Sequence, residues 1–340
     1  MSTTPTALIS GITGQDGSYL AELLLGKGYA VHGIVRRTSN LTRSRIEHLR
    51  SDEEIYGKQL FLHYGDLSDG TTLRRIFAQV QPTEVYHLAG QSHVGLSFEI
   101  PESTCEEIAM ATLRLLEIVR DQPQPVKFYH ASTSEVFGRA TESPQTEETP
   151  FAPTSPYGCA KAFATQLVRV YRQSYGLFAC NGLLYNHESP RRGEGFVTRK
   201  VARGAAAIAR GLEDELVLGD LDSRRDWGHA REYVEAMWLM LQHASPADYI
   251  VATGTTHSVR ELVEAAFAAV DLPWEKYVKS SANLTRPAEP AQLVGSPEKI
   301  RNVLGWSART AFSELVREMV EAEMEEAEME DGKVGSEGRK

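Results

Sequence analysis

Short apolar runs and longer stretches of helical spacing alternate along the first half of the chain. Ala7-Leu8-Ile9-Ser10 predicts a strand, and Ser18 to Lys27 a helix. Ala30 to Val35, Gln59 to Tyr64 and Glu84 to Gly90 predict three more strands, and Val126 to Ala131, rich in branched and aromatic residues, a fifth. Residues 104 to 120 carry the stripe of an amphipathic helix, 161 to 173 read as another, and Phe178 to Leu184 as a sixth strand. Strands alternating with helices in this way predict a parallel, doubly wound α/β sheet.

From about residue 195 the alternation loosens. A helix over 196–210, a strand at Leu216 to Leu218, a turn region from Asp220 to Asp226 and a helix from Glu232 to His243 follow. Trp238 and the methionines of that last helix read as core packing. Tyr249 to Thr253 predicts a strand and Ser258 to Val270 a capped helix, before a rigid charged loop, Arg286-Pro287-Ala288-Glu289. Residues 311–330 make a glutamate-rich helix with a solvated face, and Asp331 to Lys340 is expected to fray. The division this predicts is a dinucleotide-binding core over 1–185, completed by about 225–255, and a smaller mixed α/β substrate lobe over 186–330, interleaved with it.

The first strand runs at once into Gly11-Ile12-Thr13-Gly14-Gln15-Asp16-Gly17 and a helix. Glycines at three-residue spacing there permit a tight turn and close backbone approach to a pyrophosphate, which the helix N-terminus then faces. This is the Rossmann-type arrangement. The second strand ends in Arg36-Arg37, where a site for unphosphorylated NAD usually carries an acid about 20 residues past the glycines. Two guanidiniums suit a 2′-phosphate instead, so NADP is the expected cofactor. Asp66, at the end of the third strand, is placed to touch the adenine.

The fifth strand delivers Ser132-Thr133-Ser134-Glu135, and a proline-studded loop leads to Tyr157-Gly158-Cys159-Ala160-Lys161. Tyr157 and Lys161, four apart, share one helical face. A phenol is a poor base at neutral pH. An ammonium one turn away is expected to lower its pKa, and about three units of lowering is worth roughly 4 kcal/mol. His93 reads as a hydrogen-bonding residue rather than an acid or base. His187-Glu188 has no further ligand at helical spacing, so no metal is expected. The cations of Arg191-Arg192-Gly193 read equally as a phosphate site or as a loop meeting a partner subunit.

The formal net charge of −10 over 340 residues argues against nonspecific nucleic-acid or anionic-membrane binding. No run of about 18 apolar residues is present, and Met1 to Pro5 is not a signal peptide. Cys105, Cys159 and Cys180 are scattered and read as small buried hydrophobes in a reducing compartment, so a cytoplasmic location is expected.

Together these runs, with Gln91-Ser92-His93-Val94, Asn186-His-Glu-Ser-Pro-Arg-Arg-Gly193 and Arg225-Asp-Trp-Gly-His229, resemble the extended short-chain dehydrogenase/reductase family, and within it the GDP-mannose 4,6-dehydratases. The resemblance spans roughly residues 5–310. It implies that Tyr157, with Lys161, removes the proton of the sugar 4-hydroxyl while hydride passes to NADP, that Glu135 takes the C5 proton and protonates the departing C6 hydroxyl, and that Thr133 orients the 4-oxygen. By the same resemblance the cofactor lies on Gly11, Thr13, Gly14, Gln15, Asp16 and Gly17, with Arg36, Asp66 and Leu67, with Leu88, Gln91 and Ser92, and with Tyr157, Lys161 and His187. Ser92, Glu135, Asn186, Val197, Lys200, Arg225, Arg286 and Glu289 would hold GDP-mannose. Arg191 and Arg192 would lie near a neighbouring subunit's cofactor, implying a homotetramer or at least a homodimer. Ser10, Gly90 and Gly195 depart from the usual Thr, Ala and Asn, which leaves nucleotide contacts beside Gly195 open. A 4-reductase or 4-epimerase on this scaffold would need no carboxylate for C5, so Glu135 favours dehydration. A GDP-heptose dehydratase, or an NADP-binding scaffold protein without turnover, remains an alternative.

Overall fold

In a computed structural model, which describes residues 4–37, 43–281 and 293–337 (side chains only through 327), seven strands form one parallel sheet. They are β1 (Thr6–Ser10), β2 (Ala30–Val35), β3 (Leu60–Tyr64), β4 (Glu84–His87), β5 (Lys127–Ala131), β6 (Ala179–Leu184) and β7 (Asp248–Val251). Their order is β7-β6-β5-β4-β1-β2-β3, and every neighbouring pair is parallel. The chain winds outward in both directions from β1, so the order reverses between β1 and β4. A crevice opens at the carboxyl ends of strands at such a point.

Helices cover both faces. Tyr19, Leu20 and Leu24 of α1 (Gln15–Gly26) pack on one face with Met237, Met240 and Leu241 of a helix spanning Ala230–Gln242. The opposite face is covered by the helix Gly70–Val80, through Leu73, Ile76 and Phe77, and by Ala111–Arg120, through Leu115, Leu116 and Val119. The long helix Pro156–Tyr175 adds Val168 and Tyr171 there. Each side chain comes from an apolar stripe, whose burial is the main force holding helix to sheet.

The predicted helix over 104–120 is two α-helical segments, Pro101–Cys105 and Ala111–Arg120, joined by a π turn at Glu106–Met110. The second lobe has its own core, where Val201, Ala205, Leu262, Phe267, Leu315 and Met319 meet from the helices Val197–Ala209, Val259–Ala268 and Phe312–Glu337. Two-stranded ladders lace it together: Asn186–Glu188 with Trp227–His229, Arg224–Arg225 with His257–Ser258, and Leu216–Leu218 with Val278–Ser280.

Three expectations need correction. The last helix runs to Glu337, into the segment expected to fray, because extending a formed helix costs far less than starting one. The helix with Tyr157 begins at Pro156, not 161, because Ser155 caps it: its Oγ accepts the Gly158 N–H at 3.0 Å. Cys180 is buried, but Cys105 and Cys159 are exposed on helices. Among the described residues no helix is long and apolar enough to cross a membrane.

Candidate active site

The crevice between β1 and β4 widens into a cavity of about 730 Å³ that also reaches the second lobe. Its floor is the glycine turn. Gly11 has φ +81°, and a Cβ there would lie 2.8 Å from the backbone nitrogen of Ala89. A Cβ on Gly17 would lie 2.1 Å from the Gly11 carbonyl oxygen. Only glycine permits this approach, and the result is a bare backbone cradle. Gly14 caps α1 with no side chain over its first amides, so those N–H groups and the positive end of the helix face the cavity. The cradle fits a pyrophosphate.

Gln15 and Asp16 line the same cavity, but their side chains also tie the turn to the segment after β6. Gln15 Nε2 donates to the His187 carbonyl at 3.0 Å, and Ser189 Oγ donates to Gln15 Oε1 at 2.8 Å. Asp16 pairs with His187 Nε2 at 2.9 Å. Burial works to raise the Asp16 pKa, but His187, together with Gln15 and Arg192, outweighs it and holds the carboxyl below its ordinary range. Asp16 in turn holds His187 above its ordinary value, against the opposing effect of burial.

At the far end, Arg36, Asp66 and Leu67 line the cavity. Asp66 accepts from the Ser68 hydroxyl at 2.6 Å and the Ser68 amide at 2.8 Å, and these bonds hold its carboxyl low. Thr13 lines the wall beside the turn, and Leu88, Gln91 and Ser92 continue it from the end of β4. His93 has the hydrogen-bonding role expected, its Nδ1 accepting the Leu96 N–H at 3.0 Å.

Four groups of acid–base interest converge where β5 ends. Thr133 caps the short 3₁₀ turn Ser134–Val136, accepting the Glu135 N–H at 3.3 Å, and the turn brings Glu135 to the cavity. Tyr157 and Lys161 enter from the first turns of the facing helix. Gly158 lets that helix sit against the turn, since a Cβ there would lie 2.8 Å from the Glu135 carbonyl oxygen. It stands in plain view in the sequence, beside Tyr157, but only the packing shows its use.

The electrostatics differ from expectation. Tyr157 is pushed up to about 12, first by burial, with the Thr133 hydroxyl acting in the lowering direction and Glu135 adding to the rise. Lys161 does not deliver the expected lowering: its Nζ donates to the Ala131 carbonyl at 2.7 Å and lies 6.0 Å from the Tyr157 ring centre. Its own pKa is brought down to about 8 by desolvation.

On the second-lobe side the cavity is lined by Asn186, Val197 and Arg225. Lys200 is not brought to it: this side chain is exposed, and its Nζ donates to the Val217 carbonyl at 2.7 Å. Arg286 and Glu289 lie outside the described residues. Arg191 and Arg192 both make contacts within their own chain. Arg191 lies 4.0 Å over the Tyr19 ring and pairs with Glu22 at 2.6 Å. Arg192 pairs with Glu188 at 3.0 Å, lies 3.6 Å over the Phe196 ring and lines the same cavity. Sequence reading missed Glu106 and Glu107, which also line it and which the π turn puts there.

The sequence matches the family model described as GDP-mannose 4,6 dehydratase over residues 8–319. It is 52% identical over 322 residues to GDP-mannose 4,6 dehydratase 2 of Arabidopsis thaliana, covering 93% of this chain and 86% of that one. It is 50% identical over 337 residues to the GDP-mannose 4,6 dehydratase of Homo sapiens, covering 93% and 91%. The fold superposes on a dTDP-glucose 4,6-dehydratase from Streptomyces venezuelae, solved with NAD bound, with a TM-score of 0.84 at 23% identity, covering 95% and 98% of the two chains. The match to the family model and the identity to these relatives place this chain in the GDP-mannose 4,6-dehydratase family.

Proposed function

We propose that this chain converts GDP-mannose to GDP-4-dehydro-6-deoxymannose and water, with NADP as a bound, regenerated cofactor. The observation that carries the reading is the meeting of Glu135 with Thr133, Tyr157 and Lys161 in one cavity with the glycine cradle. When bound, the dinucleotide would supply the hydride acceptor for C4 and the hydride donor for C6, and the positive charge of its oxidised ring. Tyr157 takes the proton of the 4-hydroxyl, with Thr133 donating a hydrogen bond to the 4-oxygen. The 4-ketone acidifies C5, whose proton Glu135 removes and passes to the departing C6 hydroxyl, releasing water. One proton returns to C5, equal to the one Tyr157 took, so no net proton is gained, and the hydride lost at C4 is regained at C6, so the reaction is redox neutral. Lys161 holds the base of the site through Ala131.

Residues 1–185, with about 225–255, hold the cofactor: the cradle its pyrophosphate, Asp66 and Leu67 the adenine side, and Arg36 the 2′-phosphate. Residues 186–330 hold GDP, with Asn186, Val197 and Arg225 facing the cavity. Mass spectrometry of GDP-mannose incubated with the purified protein should show loss of one water over many turnovers without added cofactor. An unchanged mass, even with NADP supplied, overturns the reading; loss of water from a GDP-heptose alone would transfer it to that sugar.

Arg36→Ala should weaken NADP binding about tenfold or more, since charge-assisted bonds to a phosphate are worth about 1.5–3 kcal/mol and each 1.4 kcal/mol is tenfold. NAD should change little. Equal weakening of both, measured by titration, removes Arg36 from the 2′-phosphate. A homodimer or homotetramer also belongs to this reading. Phe98, Ile100, Met110 and Phe163 are exposed on neighbouring elements, and apolar groups so grouped favour a partner surface. Sedimentation as a monomer at micromolar concentration would contradict it.

A further inference from the structure

The second strand ends in two arginines without an acid, yet the folded cavity holds an acid at that place. The π turn Glu106–Met110 inserts one extra residue into the helical repeat, and Glu106 and Glu107 both line the cavity. Their partners differ. Glu106 pairs with Arg114, which in turn donates to the Leu67 carbonyl, so its charge is matched away from Arg36. Glu107 Oε1 instead lies 3.3 Å from Arg36 Nη1, in a pair about half open to solvent. Gly90, after β4, meets the same turn: it has φ +153°, and a Cβ on it would lie 3.2 Å from Ile108 Cγ1 and 3.8 Å from the Glu107 carbonyl oxygen. The π turn is therefore seated directly against the cofactor wall.

We propose that Glu107 is a specificity-determining residue that narrows this protein's preference for the phosphorylated cofactor. The inference rests on the assignment of Arg36 to the 2′-phosphate. Two charges of opposite sign share one position and suit different ligands. A 2′-phosphate has to draw Arg36 away from Glu107 and then stand near that carboxylate, which repels it. An unphosphorylated ribose places a hydroxyl there, and a carboxylate accepts its hydrogen bond, as the acid at the strand end does in NAD sites. Glu107 thus restores from a neighbouring helix the group that the end of β2 lacks. The site discriminates by the difference between the two affinities, so weakening the preferred ligand matters as much as helping the other.

The test is titration of NADP and NAD into purified Glu107→Gln, Glu106→Gln and Arg36→Ala proteins, with direct binding as the readout. Glu107→Gln should raise the NADP-over-NAD preference about three- to fivefold, a modest factor because partly exposed charges are screened. The gain should shrink in high salt. Glu106→Gln should leave the preference unchanged. An unchanged or lowered preference in Glu107→Gln, including equal loss of both cofactors through misfolding, overturns the proposal, as does an equal gain in Glu106→Gln, which would mark a bulk charge effect. If Arg36→Ala alters the preference while Glu107→Gln does not, this inference fails and the 2′-phosphate assignment stands. If Arg36→Ala does not alter it, that assignment fails first.

Discussion

Glu135→Gln should lower the rate of water loss by about 10² to 10⁴, the range spanned by removal of one positioned acid or base. Glutamine keeps the shape and can still accept hydrogen bonds, but it cannot take a proton from C5 or give one to the departing hydroxyl. The backbone that presents it should be undisturbed, because the Glu135 amide is held by the Thr133 hydroxyl at 3.3 Å and its carbonyl packs against Gly158, neither of which involves the carboxylate. Binding of cofactor and GDP-mannose should therefore stay near normal. The first step should survive, since it does not use the Glu135 carboxylate. A single-turnover experiment should show reduced nicotinamide absorbance accumulating as the 4-ketone forms, without loss of water. Losses of affinity as large as the loss in rate would make Glu135 a structural residue, and normal turnover would give the C5 chemistry to another group.

How far the sequence could be read depended on the range of the interactions involved. The glycine turn, the strand ends and the Tyr157–Lys161 spacing are local patterns, and the positions they predict line one cavity. Residues whose role comes from contacts far along the chain were less legible. Asp16 and His187 are 171 positions apart, and no periodicity links them; only the fold brings the glycine turn beside the segment after β6. Lys200 shows the same limit. Helical spacing places it on the helix Val197–Ala209, but which way its flexible stem turns depends on the Val217 carbonyl across the lobe. The π turn that carries Glu107 leaves no mark in the amphipathic pattern of residues 104–120, because the apolar stripe resumes after it.

The electrostatics of Tyr157 and Lys161 were the least legible, because burial and not sequence distance sets them. The ordinary argument, in which a lysine one turn away lowers the tyrosine, treats both groups as solvated. Here burial acts on each. It pushes the phenol up to about 12 and the ammonium down to about 8, so in both cases the neutral form is favoured. The cation is then costly to the fold where it stands, a common property of groups held for chemistry rather than for stability. Among the groups acting on Tyr157, Arg192 lowers its pKa and Asp16 raises it.

That cost gives Lys161→Met a double signature. Activity should fall by about 10² or more, in line with loss of a group acting on the proton transfer. Stability should change in a way that depends on pH. Lys161 in the folded protein titrates at about 8, against an ordinary value of 10.5. Between those values the unfolded chain binds a proton that the folded one does not, so the stability of the unsubstituted protein rises with pH across the window. The contribution is fully present above 10.5 and is lost as pH falls through about 8. Methionine has no such proton. The difference in unfolding free energy between the two proteins should therefore move toward the unsubstituted one by about 2–3 kcal/mol from pH 7 to pH 10.5, each unit of pKa lowering being worth about 1.36 kcal/mol. His87 and His130, which feel the Lys161 charge, are held below their ordinary values by burial first and then by that charge, so they stay neutral across this window, and the remaining groups cancel. The Ala131 carbonyl, which loses its 2.7 Å partner in the variant, shifts the whole curve without changing its slope. Denaturant unfolding at several pH values reads the slope directly. A pH-independent difference would show that Lys161 titrates in the fold as it does in water, and that its role is to carry a permanent positive charge.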